Sequence, residues 1–518
     1  MISKEALRAY RSRRFDDHTW MKALSEDELW DEIRRFRVKP RFKTPPWKHQ
    51  LVAFLLGMTY PEFLFSLDMG TGKTLILLNI LQQQLRERTV RRGLVLVPRI
   101  LNIDGWRQDT ERHCDLEPHL VTATGIDEKW DMLENPRGDF TVIDYTGFHL
   151  ATMLPPKKGS RTKHRQADDK KLAKLRRRYD FGALDESHKA ANHQSLWFAQ
   201  LRQFTRDLRR CYASTGTLFS PPNLEPIWSQ FYLVDRGMTF GENLGCFRET
   251  FFTAEPHHFK GQVLKYNRDS TPLLNKMIGH RSIRYEDYEV QDLPKRVHRR
   301  VFCEMGEEQH HQYLVMLEKM LNAPEDPKER EAYWLRLRQI TAGYLIWDDS
   351  TGRHRVNFRD NPKLDELERW IDEAGDKKVV VSHEYTASGE LIVERLKKLK
   401  IKHEWLYGGT KDPIACKQRF MDDPECRVFV MNSAAGGTGV DGLQKVSPYM
   451  LMYESPASPT TRSQTIKRVH RPGQPERTFI VDFLCTGSVD KGILDTVEEG
   501  KSLHDMIMAG RVPRGLLS

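Results

Sequence analysis

The sequence predicts an α/β protein built as two parallel-sheet lobes with helical insertions between them. Three observations predict it. Two separate trains of short apolar β-type runs each alternate with helical stretches. A glycine loop joins one such run to a helix. The chain has 518 residues, and beyond about 250–300 residues one core gives way to several domains. Hydrophobic residues make up 39% and charged residues 30%, a soluble globular composition with apolar side chains enough for real cores.

Taken in order, residues 1–44 read as a polar, arginine-rich extension with one helix. Ser25 and Glu28 form a capping box ahead of Leu29, Trp30, Ile33 and Phe36. Runs at 63–67, 93–97, 140–144, 181–184 and 210–214 then alternate with helical patterns, the signature of βαβ units and a sheet covered on both faces. Residues 221–350 read as mainly helical. They give the first lobe (45–290) a protrusion from about 221, and they supply a helical linker at 291–360. A second train, at 377–382, 402–406, 427–431, 449–453 and 478–483, marks a second lobe at 361–518. In such sheets chemistry belongs at the carboxyl ends of the strands.

The net charge of +10 favours a polyanionic partner. Of the seven cysteines, no two stand at C-x-x-C spacing, so reduced thiols are expected and neither a zinc ribbon nor a disulfide framework is suggested. The first residues have no apolar core of signal-peptide length. The most apolar stretch, 51–67, is broken by Gly57, Pro61 and Glu62 and is too short to span a bilayer. The expected location is the cytoplasm, or the nucleus of a eukaryote, with no membrane partner. A basic insert at 155–178 runs from Pro155-Pro156-Lys157-Lys158 to Arg176-Arg177-Arg178. It reads either as a solvated surface excursion or as an arm that contacts phosphates.

The glycine loop is Leu67-Asp68-Met69-Gly70-Thr71-Gly72-Lys73-Thr74, between an apolar run and a helical one. Glycines let backbone N–H groups wrap phosphates while the helix turns its positive end toward them. Lys73 is expected to reach the β- and γ-phosphates of a nucleotide, and the Thr74 hydroxyl to ligate magnesium. The strict G-x-x-x-x-G-K-T pattern wants glycine at 67, where this chain has leucine. Asp185-Glu186 ends another apolar run. Asp185 suits Mg²⁺ through water, and Glu186 is placed to orient and deprotonate an attacking water. Gln50, shortly before the loop, offers an amide able to read adenine's edge.

In the second lobe, Gln464-Thr465-Ile466-Lys467-Arg468-Val469-His470-Arg471 places two arginines three apart, which on a helix project from one face. Guanidiniums so presented stabilise charge on a transferring phosphoryl group, worth roughly 10³–10⁵ in rate. A glycine-rich turn, Gly436-Gly437-Thr438-Gly439, follows the run at 427–431 and suits a close backbone approach to phosphate or nucleic acid.

In this order the motifs resemble the Swi/Snf family of superfamily-two helicase-like ATPases. Gln50 matches its adenine-reading glutamine, and Asp68 to Thr74 its D-E-M-G-L-G-K-T loop. Val97-Pro98 with Trp106 is similar to its motif Ia, Asp185 to His188 to its D-E-A-H box, and Thr215-Gly216-Thr217 to its motif III. Leu293-Pro294-Lys295, Leu337-Arg338-Gln339-Ile340 and Lys363-Leu364 follow as in its members. Gln464 to Gln474 is similar to the family's motif VI. Leu218 replaces the usual proline, and Asp441 stands where the family favours asparagine, placing a negative charge near the nucleic-acid path.

The resemblance, which covers about residues 45–500, implies two RecA-like lobes with ATP and Mg²⁺ between them, in a compact form without accessory domains. It assigns Lys73, Asp185, Glu186, Arg468 and Arg471 to catalysis. Thr215, Gly216, Thr217, Gly436, Gly437 and Gln464 fall to coupling and DNA contact. The implied activity is DNA-stimulated ATP hydrolysis driving movement on duplex or branched DNA, rather than RNA, by a monomer. Two alternatives stand beside it: a strand-separating or branch-migrating helicase, and an ATP-gated nucleic-acid-binding switch with little turnover.

Overall fold

The computed structural model describes residues 10, 15–68, 70–154, 166–216, 218, 224–257, 261–285, 287–290, 296–322, 327–436 and 441–500. Met69, Thr217, Gly437, the stretch 155–165 of the basic insert and Leu293-Pro294-Lys295 lie outside these residues. Contacts divide the chain into two units, Met1–Gln291 and Asp292–Ser518.

In the first unit the strands are β1 (Glu62–Leu67), β2 (Gly93–Val97), β3 (Pro118–Leu120), β4 (Phe140–Asp144), β5 (Phe181–Asp185), β6 (Arg210–Thr215), β7 (Phe252–His257), β8 (Gly261–Tyr266) and β9 (Ser282–Tyr285). Seven of them form one sheet in the order β3-β4-β2-β5-β6-β1-β9, every pairing parallel. Alternate residues of one strand enter opposite cores. Leu94 and Leu96 pack on one face with Leu64 and Leu184, while Val95 and Val97 pack on the other with Phe63 and Phe65. Both faces are therefore apolar, as the continuous runs require. β7 and β8 pair as a separate antiparallel hairpin.

The second unit holds β10 (Arg296–Cys303), β11 (Tyr344–Asp349), β12 (Gly352–Asn357), β13 (Val379–His383), β14 (His403–Leu406), β15 (Val428–Asn432), β16 (Tyr449–Met452) and β17 (Thr478–Cys485). Its main sheet runs β10-β17-β16-β13-β15-β14, again parallel throughout. Val379 and Val381 enter one core and Val380 the other. β11 and β12 form a second antiparallel hairpin.

All ten sequence-read strands are present, within two residues at each end. The stretch 291–360, expected to be helical, carries β10 and the β11–β12 hairpin besides helices Glu307–Leu321 and Pro327–Thr341. β10 escaped the reading because it is an edge strand with Arg296, His298, Arg299 and Arg300 along it, and only one face is covered. The short β3 and β9 escaped as edges too.

The basic insert needs a correction. Residues Asp169–Arg178 form a helix whose N-cap Asp168 accepts from the N–H groups of Lys170 and Lys171, and Leu172 and Leu175 are fully buried in the first unit's core. This part is a lobe helix, not a surface excursion. Its cations dominate the composition, yet the leucines three apart anchor one face. At the amino end, Ser25 and Glu28 make the predicted capping box, with Ser25 N donating to Glu28 Oε2 at 2.7 Å and Glu28 N donating to Ser25 Oγ at 3.2 Å. All seven cysteines are free thiols. Among the described residues no helix is long and apolar enough to cross a membrane.

Candidate nucleotide site

β5, β6 and β1 are neighbours in the sheet, so the segments leaving their carboxyl ends converge. The loop after β1 turns into helix Lys73–Arg86 through Gly70 (φ 84°) and Gly72 (φ 86°). These left-handed conformations favour glycine, which has no Cβ to strain them. A Cβ on Gly72 would also stand 2.3 Å from Gln50 Nε2. Leu67, where the strict pattern asks for glycine, is the buried last residue of β1, paired with Tyr285. The turn starts one residue later, so leucine costs the loop nothing there. Gly72 brings no side-chain cap to the helix, and the first-turn N–H groups look onto the loop.

Gln50 is buried beneath the loop. Its Nε2 donates to Thr71 O at 3.0 Å and its Oε1 accepts from Trp47 N at 2.9 Å. His49 Nε2 meets the same Thr71 carbonyl at 2.7 Å, and the Thr71 hydroxyl closes onto Asp68 O at 2.7 Å. Gln50 thus braces the loop. Each end of its amide keeps one further hydrogen-bonding position.

Lys73, at the head of the helix, donates from Nζ to Glu186 Oε1 at 2.7 Å, with both side chains largely shielded. Glu186 Oε2 faces His188 Nδ1 and the Gly216 N–H, each at 3.3 Å. His188 Nδ1 also lies 3.1 Å from Thr215 Oγ1. One chain of contacts therefore joins the loop after β1, the end of β5 and the end of β6. Glu186 adopts φ 47°, ψ 54°, a left-handed backbone costing a non-glycine residue of order 1–3 kcal/mol. Its three partners hold it there. Burial raises its carboxyl, but the Lys73 ammonium and His188 outweigh that and hold it well below the usual range.

Asp185 lies deeper. Its Oδ1 accepts from Ser214 Oγ at 2.8 Å and its Oδ2 from Trp106 Nε1 at 3.2 Å, while Tyr145 Oη donates to its carbonyl at 2.9 Å. Asp185 and Ser214 are register partners on β5 and β6, which puts the hydroxyl beside the carboxylate. Burial pushes the carboxyl up and the Glu186 charge adds to this, against Lys73, Ser214 and Trp106. Ser214 and Tyr145 were missed by sequence reasoning, since strand register and the helix after β4 are tertiary facts. Trp106 was noticed only as a motif marker.

The residues present fit a magnesium nucleotide. Burial penalises the Asp185 charge, and a cation would relieve that penalty. His188 Nε2 is buried without a hydrogen-bond partner among the described residues. Among the described residues no group of three or more His, Cys, Asp and Glu gathers to hold a metal by itself, and magnesium that rides on phosphates needs only one or two protein ligands. Thr74 is half-buried beside Lys73.

In the second unit, Arg468 and Arg471 do not share a helix face. The helix Pro459–Ile466 ends before them, at C-cap Lys467, and Pro472 and Gly473 (φ 86°) close the segment that carries them. They meet nonetheless. Arg468 Nη1 donates to Asp441 Oδ1 at 3.1 Å, and Arg471 Nη1 donates to the same oxygen. Arg471 foremost, then Arg468, holds the Asp441 carboxyl well below its ordinary range. Asp441, singled out above as a departure, is the anchor of the arginine pair. Gln464 lies half-buried on the helix, and Gly436 ends a short helix, Ser433–Gly436, after β15.

The fold and this arrangement define an α/β protein of two parallel-sheet units, with a glycine turn and paired acids at adjoining strand ends. Residues 47–342, more than half of the chain, match the SNF2-related domain, and the chain belongs to that family. It is similar to the chromatin-remodeling ATPase INO80 of Candida glabrata, 26% identical over 151 residues, 29% of this chain and 10% of that protein. The INO80 of Aspergillus oryzae is 28% identical over 159 residues, 30% of this chain and 11% of that protein. The matched part is thus about a tenth of the length of these relatives. Among solved structures, the Sulfolobus solfataricus SWI2/SNF2 ATPase core in complex with dsDNA is similar over 91% of this chain and 95% of that one, at 18% identity and a TM-score of 0.38.

Proposed function

We propose that the chain hydrolyses ATP and uses it to move on double-stranded DNA. The observation that carries this reading is the continuous linkage Lys73–Glu186–His188–Thr215 across three adjacent strand ends. Lys73 and the loop N–H groups bind the nucleotide's phosphates, and a phosphate oxygen takes the place of Glu186 on the ammonium. Glu186, thereby freed at Oε1, orients water and accepts its proton. Thr74 and Asp185 would hold magnesium, which supplies neutralisation of charge on the phosphates. Arg468 and Arg471 stabilise the charge that develops on the transferred group.

Thr215 and Gly216 register the state of Glu186 through His188 and the backbone N–H. They pass it to the segment after β6, a route for coupling hydrolysis to grip on DNA. The partner is duplex DNA, argued from family membership and the net charge of +10. Phosphate release with and without duplex DNA tests this reading. Turnover that rises with duplex is expected, and turnover absent under both conditions would remove it.

A further inference from the structure

The amino ends of the first unit's strands carry a second constellation that the nucleotide reading does not use. A cavity of about 530 Å³ is lined by Arg176, Arg202, Arg206, Arg236, Tyr232 and Asp169, among others. The arginines come from three elements: helix Asp169–Arg178, helix Leu196–Thr205 with its C-cap Arg206, and the residue that caps helix Glu225–Asp235. The cavity sits at the opposite end of the strands from Lys73. Arg236 donates to Glu62 Oε1, at the start of β1, at 2.9 Å, and to Leu208 O, just before β6, at 2.7 Å. Six residues of β1 separate that end from the glycine loop, about 20 Å.

Two of the guanidiniums are fixed in place. Arg236 holds a left-handed backbone (φ 58°) and also donates to Thr205 O at 3.1 Å. Arg176 donates to Gln203 O at 2.7 Å and pairs with Asp207 at 3.1 Å. Arg206 reaches the same Asp207 at 3.3 Å. Arg202 is exposed and has no ion pair among the described residues. Four guanidiniums thus face three carboxylates, those of Asp169, Asp207 and Glu62. The positive excess continues past the rim, where Arg177, Arg178 and Arg209 stand exposed just before β5 and β6, while Arg91, before β2, is paired with Asp180 at 3.0 Å.

We propose that this arginine cavity and the margin leading from it form a second anion site, which takes the phosphate groups of a polyanionic chain. Forked guanidiniums fixed by backbone carbonyls match phosphate oxygens in pairs. The volume exceeds that of one phosphate and suits a nucleotide-sized length of backbone, with Tyr232 as its apolar wall. The chain is a nucleic-acid backbone or free polyphosphate; both present the same groups. The site does not depend on ATP hydrolysis.

The test is binding of a labelled DNA duplex and of inorganic polyphosphate, without ATP, across a salt series, with the full chain and its R202A/R206A variant. Both replaced residues are exposed, and neither is in the nucleotide site. The variant is expected to bind more weakly, by roughly an order of magnitude per lost contact near 0.1 M salt, with the salt slope reduced by about two. ATP turnover without DNA stays unchanged. Weakening toward duplex identifies nucleic acid as the source, and weakening toward polyphosphate alone identifies the free anion. Unchanged affinity and slope for both polymers would overturn the proposal, as would polyglutamate binding as tightly as polyphosphate. Absence of ATP turnover in the parent chain would sink the motor reading and leave this test intact.

Discussion

Replacing Glu186 by glutamine is expected to separate nucleotide binding from hydrolysis. The amide keeps the shape of the side chain and can still accept from Lys73 Nζ, now 2.7 Å from Glu186 Oε1. Its nitrogen, however, would face the Gly216 N–H, a donor against a donor. Loss of one member of a buried pair costs about 3–5 kcal/mol when nothing replaces it. Both side chains retain some exposure and one hydrogen bond survives, so roughly 1–3 kcal/mol is expected for the nucleotide-free protein. Phosphates restore a partner to Lys73, so the variant regains that energy on binding. ATP affinity should be kept or tightened by up to roughly 5- to 150-fold. Turnover should fall by about 10²–10⁴, the contribution of a positioned general base. Phosphate release, nucleotide titration and thermal melts with and without ATP measure all three. Undiminished turnover, or lost ATP affinity, would refute the role given to Glu186.

Further outcomes follow from the same geometry. Ser214→Ala removes a donor that favours the charged form of Asp185, so its already raised carboxyl rises further. The acid limb of the pH–turnover profile moves to higher pH, and an unmoved limb would show that Asp185 does not set it. Arg468→Ala and Arg471→Ala should each cost turnover, by roughly 10³- to 10⁵-fold, while duplex affinity changes little; the reverse pattern would make them DNA contacts. Glu454, in the second unit, has its carboxyl pushed up to about 7 by burial, against Arg338 and Lys363. A carboxyl raised above its unfolded value of 4.5 gives stability that is full below that pH and is lost as pH rises through about 7. Glu454→Gln should flatten that fall, worth roughly 3 kcal/mol at most, in melts across about pH 5–8. An unaltered slope would contradict the assignment.

Much of the fold was legible because the central strands are buried on both faces and read as unbroken apolar runs, such as Leu94-Val95-Leu96-Val97. The edges were not. β10 alternates cations with apolar residues and resembles a solvated segment until its partner β17 is known. The glycine turn was legible from Gly70, Gly72 and Lys73, since its backbone angles restrict residue choice locally. The Asp185 network was not, because the Ser214 hydroxyl arrives through the register of β5 against β6. Arg468 and Arg471 were found by residue type, but their geometry depends on Asp441, 27 and 30 positions away. The leucines of helix Asp169–Arg178 were visible but outweighed by the surrounding Lys and Arg.

Displacement of a third strand from a DNA triplex, set beside displacement of one strand of a plain duplex, tests movement along DNA most directly. ATP-dependent release of the third strand is expected, abolished in Glu186→Gln, with the plain duplex left paired. Steady ATP turnover on duplex DNA without any third-strand release would contradict it.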